Sequence, residues 1–223
     1  MFIKIRSNHK TMEAFIENIK KELGTNLILI GEYSRKDRNY VIVVDSLTYT
    51  TLQSIKPLIS GFFKKTKMYP LLLTKKEVVN GVDVFPLDFL NLKNTITLIH
   101  GKNIFKDLKV EKKHVRHELE FEVRSKLMTF RRIVLQLKSK KDIALVLQNT
   151  VVTLLPLFNG LLFLKGKSRI ASVSTLLDEL EELYKINFTI LKQFNKPKVF
   201  ASDENIATVH SFLSDLAKLI DKL

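Results

Sequence analysis

Val115, Leu119, Val123, Leu127, Phe130, Val134 and Leu137 follow one another at spacings of four and three. Only an α-helix brings such positions onto one face, and a face this long needs other helices to cover it. The feature splits the chain, because no convincing strand pattern appears after about Val110. Asp142–Leu164, Ser174–Tyr184 and Asn205–Leu223 continue the helical reading. Ser172 or Ser174 is placed to cap Ser174–Tyr184, and Ser202 or Asp203 to cap Asn205–Leu223. A bundle of about four helices over 110–223 is the expectation.

Residues 1–109 read differently. Met12, Phe15, Ile16, Ile19 and Leu23 have helical spacing and Gly24 stands as a stop. The apolar runs Leu27–Ile30 and Tyr40–Val44 predict two adjacent buried strands joined by a polar segment. Leu47–Phe63 returns to helical periodicity. Met68–Leu73 predicts a third strand and Val82–Leu90 a fourth, with Pro86 favouring an edge or a bend. The fold class expected is α+β: an N-terminal mixed sheet with helices over 1–109, then an all-helical bundle over 110–223.

Composition narrows the chemistry. The chain of 223 residues contains no cysteine, which excludes disulfides, thiolate metal sites and cysteine nucleophiles and points to a cytoplasmic, reducing setting. The segment from Met1 to Lys20 has no continuous apolar block, so no signal or membrane anchor is expected there. Ile143–Leu164 is the most apolar run, but Gln148, Asn149, Pro156, Asn159 and Gly160 interrupt it, and a buried bundle helix is expected rather than a bilayer span. The formal charge is +14. Residues 1–100 carry 15 basic and 9 acidic side chains, 101–150 carry 13 and 6, and 151–223 carry 9 and 8. A nucleotide or nucleic acid is thus drawn to the first two thirds of the chain, unless the lysines serve solubility alone. P-loop, dinucleotide-fold and nucleophile-elbow motifs are missing, and the pair His114 and His117 is too small a set for a zinc site.

The most informative stretch runs from Gly31 to Val44: a glycine after an apolar strand, Ser34 within a basic turn, and Asp37-Arg38-Asn39 just before the next strand. A second lies at Val84-Phe85-Pro86-Leu87-Asp88-Phe89-Leu90, followed by Leu98-Ile99-His100-Gly101-Lys102-Asn103. With the order of an α/β part before a helix bundle, these segments resemble the nucleotidyltransferase superfamily, especially its minimal and aminoglycoside-type members. The resemblance implies transfer of a nucleotidyl group from a nucleoside triphosphate to a hydroxyl. It implies Asp37 and Asp88 as catalytic metal ligands, Asn39 as a third ligand, Gly31 and Ser34 at the phosphates, and Mg²⁺ as cofactor. Clustered carboxylates hold two Mg²⁺ ions against the α-phosphate in such chemistry. Here Glu32 stands where the family has Ser, and Asn39 stands where it has a second carboxylate. Asp83 or Glu32 could add a carboxylate.

On the long helix His117, Arg124, Arg131 and Lys138 recur every seven residues. The resemblance implies that Arg124 and Arg131 clamp the triphosphate. The plain alternative is a solvated face with ion pairs such as Glu120 with Arg124 and Glu122 with Lys126. Two functions stay open: a nucleotidyltransferase, and a catalytically inactive protein of that fold that binds nucleotide or nucleic acid through a basic surface. No oligomeric state follows from the sequence.

Overall fold

The computed structural model describes residues 9–33, 39–193 and 201–223. They form two compact units, Met1–Lys109 and Val110–Leu223.

In the first unit helix α1 (His9–Leu23) leads through a 3-10 turn (Gly24–Asn26) into strand β1 (Leu27–Tyr33) and then β2 (Asn39–Val44). Helix α2 (Tyr49–Thr66) follows, then β3 (Leu71–Thr74), the short helix α3 (Lys75–Asn80), α4 (Pro86–Thr95) and β4 (Thr97–Gly101). The four strands form a mixed sheet in the order β3-β2-β1-β4. β1 runs antiparallel to β2 and β4, and β2 runs parallel to β3. Five of the six β2 residues are buried, which is why that strand reads as a continuous apolar run rather than an alternation. Ile30, Tyr40, Ile42 and Val44 pack with Phe15, Ile19, Ile55 and Phe62 of α1 and α2. Leu29, Val41 and Val43 pack on the opposite face with Val78, Phe89, Leu92 and Phe105.

Two expectations are corrected here. Val82–Leu90 is not a strand: Pro86 opens α4, a position where its missing N–H costs nothing and its fixed φ suits a helix. The fourth strand is instead β4, whose Thr97, Leu98 and Ile99 are exposed, so no burial alternation marked it in sequence. A smaller shift moves the third strand to Leu71–Thr74. α2 runs on to Thr66 because Lys67, at φ 59°, adopts the left-handed conformation that ends it.

The second unit contains α5 (Lys112–Val134), α6 (Lys140–Leu164), α7 (Val173–Tyr184), the single turn α8 (Thr189–Lys192) and α9 (Asp203–Ile220). α5 packs against α6 and α9, and α6 against α7. Val115, Leu119, Val123, Leu127 and Phe130 are buried as the spacing requires. Phe158, Phe188 and Phe212 meet edge to face, with ring centroids 5.1–6.5 Å apart. Such aromatic contacts add to the area that each ring buries. Ser139 caps α6 and Ser202 caps α9, each accepting from a backbone N–H three residues on. By length and composition α6 could cross a bilayer. In this fold Leu147, Val151, Leu154, Phe158 and Leu161 bury its core face.

Candidate functional site

Antiparallel register brings Gly31 opposite Val41, Glu32 opposite Tyr40 and Tyr33 opposite Asn39. Side chains alternate along a strand, so Leu29, Gly31 and Tyr33 share one face with Asn39, Val41 and Val43. That is the face on which α4 packs through Phe89 and Leu92. Asp88 lies in the first turn of α4. Its carboxylate is close enough to act on Tyr33: burial first, and then the Asp88 charge, hold the Tyr33 hydroxyl above its ordinary pKa. Tyr33 and Asn39 are thus paired at one end of the sheet, and the Asp88 charge reaches Tyr33.

Among the expected site residues, Ser34 and Asp37 lie outside the described residues. Gly31 does not close β1 but sits within it. A Cβ there would meet Ile96 Cδ1 at 2.7 Å and Cγ1 at 2.8 Å. The glycine thus makes room for a core side chain. Asp88 is on a helix rather than on the strand Val82–Leu90 expected for it. Glu32 alternates to the opposite face from Tyr33.

Mg²⁺ takes oxygen ligands, preferably charged ones. Asp88 brings a carboxylate and Asn39 an amide oxygen, a donor set that fits one weakly held ion and lacks the charge for two. Among the described residues no group of three His, Cys, Asp or Glu side chains comes together.

Arg124 and Arg131 are engaged within the helical unit. Arg124 Nη2 donates to Asp221 Oδ1 at 2.6 Å and Nε to Glu120 Oε1 at 3.2 Å. Both carboxylates, Asp221 first, raise the pKa of the guanidinium further. Arg131 Nε donates to His210 Nε2 at 2.9 Å. These bonds tie α5 to α9 and to Asp221, the residue that follows it. Of the two expected ion pairs, both form, Arg124 with Glu120 and Lys126 with Glu122.

The other end of the sheet holds residues to which no role was expected from the sequence. A cavity of about 570 Å³ is lined by Asn26, Asp45, Lys75, Lys102 and Asp107, among others. Asn26 anchors this end: its Nδ2 donates to Ser46 O and its Oδ1 accepts from Ser46 N, both at 2.9 Å. Two carboxylates and two lysines balance there, at strand ends separated along the chain, and no local motif could have signalled them. Tyr33 was missed for a different reason, being a strand tyrosine like any other until α4 sets Asp88 beside it. No protein-family model and no curated protein matches the chain.

Proposed function

We propose that the chain is a nucleotidyltransferase-like protein that binds a nucleoside triphosphate with Mg²⁺ at the end of its sheet where Tyr33 pairs with Asn39, close to Asp88. Its activity on this reading is transfer of a nucleotidyl group to a hydroxyl acceptor. The observation that carries the reading is the register that sets Tyr33 opposite Asn39 on the sheet face against which α4, the helix that bears Asp88, packs. The element order, with a mixed sheet preceding an all-helical unit, supports it as well. Bound Mg²⁺ would supply charge for the α-phosphate. Asp88 would hold the ion, Asn39 would add a neutral oxygen, and the half-buried Tyr33 ring would shield one side of the site from water.

A second reading keeps the nucleotide and drops the transfer. Asn39 favours it, because an amide replaces a charge that two-ion chemistry requires. Calorimetry of Mg·ATP with the wild-type chain, Asp88→Asn and Asn39→Asp tests the binding common to both. Weak wild-type binding, loss in Asp88→Asn and tighter binding in Asn39→Asp are expected. Equal binding in all three contradicts the reading. Release of labelled pyrophosphate from γ-labelled triphosphate by the wild-type chain selects transfer, and release by Asn39→Asp alone selects the non-catalytic reading.

A further inference from the structure

The helical unit has a crevice of about 400 Å³ lined by Lys112, Lys113, Arg116, Lys165 and Tyr184, with Leu164 and Leu223 completing the lining. Four cations converge on this one concavity, and no Asp or Glu side chain lines it. Lys113 pairs with Glu111 at 2.9 Å, and Arg116 with Glu120 at 3.3 Å. Among the described residues Lys112 and Lys165 have no ion-pair partner. Arg116 bonds Glu120 and the Ile220 carbonyl through Nη1, which leaves its Nε–H and Nη2 donors. Lys165 Nζ stands 5.0 Å from the centre of the Tyr184 ring, a cation–π contact that holds the ammonium at the wall. The Tyr184 hydroxyl donates to Leu161 O at 2.8 Å, so the ring is fixed. Burial pushes that hydroxyl up to about 12, and it stays protonated rather than adding negative charge. Lys112 and Lys113 also open α5, whose positive end adds to the same field.

We infer that this crevice binds a compact phosphate chain, the chemistry shared by inorganic pyrophosphate and the tail of a nucleoside triphosphate. Convergent cations and a fixed aromatic wall, with no carboxylate side chain in the lining, are what such an anion requires. Neither Asp88 nor a divalent ion takes part, so this site is independent of the one at the sheet.

Calorimetry in buffer containing EDTA tests it with three probes: pyrophosphate, ATP and adenosine. Pyrophosphate and ATP should bind at one site, more weakly as salt rises, and adenosine should not bind. Lys165→Ala should weaken pyrophosphate by about tenfold, the order expected for one charge-assisted contact. Arg116→Gln should act in the same direction, while Lys138→Ala and Asp88→Asn should leave binding unchanged. Circular dichroism checks that each variant is folded. No binding of pyrophosphate, or binding that survives Lys165→Ala and Arg116→Gln in folded protein, overturns the inference.

Discussion

At Gly31 a methyl group would arrive 2.7 Å from Ile96 Cδ1, and at Gly101, where φ is +83°, it would arrive 1.9 Å from Ile28 O. The first obstacle is a side chain that can give; the second is backbone. Gly31→Ala should therefore cost about 1–3 kcal/mol, as overpacking does, and Ile96→Val, which lacks Cδ1, should recover part of it. Gly101→Ala should cost more, since β4 would have to leave β1 to which it is paired. Urea denaturation measures all three, and a neutral Gly31→Ala would mean that the Ile96 contact is not tight. Tyr33 carries the second expectation at this scale. A carboxylate nearby disfavours the phenolate, so Asp88→Asn should lower the Tyr33 pKa towards its ordinary value, about 10. NMR titration of labelled tyrosine reads it, and an unchanged Tyr33 would place the Asp88 carboxylate out of range. Asp88 could be picked out in sequence as an acidic residue in an apolar, proline-containing stretch. Its effect on Tyr33 could not, because that depends on the packing of α4 against β1.

Among elements, the long helices were legible because apolar side chains at spacings of three and four leave little alternative. β2 was legible as an all-apolar run of β-branched residues. α4 was not: Leu87, Phe89 and Leu90 around a proline suit a strand or a helix, and only the packing of Phe89 and Leu92 under the sheet decides. β4 escaped as an exposed edge. Tertiary ties were equally invisible, since Arg124 and Arg131 find partners 97 and 79 residues away. Another such tie joins α7 to α8. Glu181 Oε1 accepts from Phe188 N at 2.7 Å, and its Oε2 accepts from Lys192 Nζ at 2.8 Å. Those bonds, Lys192 first, hold the Glu181 carboxyl below the usual carboxylate range. A depressed carboxylate stabilises the fold above its unfolded value, and the gain is lost as pH falls through the folded one. Glu181→Gln should therefore lower stability at neutral pH and flatten the decline below about pH 4.3. Thermal melts from pH 7 to pH 3 compare the two chains. Parallel curves would show that Glu181 gains nothing from its partners.

For the whole molecule, the change of period near Val110 was the most legible feature, and the two units divide at Lys109 and Val110. Function is less legible at this scale because the +14 charge is compatible with several partners. What separates them is local: Lys112, Arg116 and Lys165 share one crevice, while Arg124 and Arg131 bond to their own unit. On the proposed function, Mg·ATP sits at the end of the sheet where Tyr33 pairs with Asn39 and is held by Asp88. The most direct measurement follows the ring resonances of labelled tyrosines during a Mg·ATP titration, with Tyr33 assigned through Tyr33→Phe. Tyr184 reports the helical crevice in the same spectra, so the two sites are read apart. The Tyr33 signal should move and saturate in the wild-type chain and stay in place in Asp88→Asn. A Tyr33 signal that does not move at saturating Mg·ATP, or that moves equally in both chains, would contradict the claim.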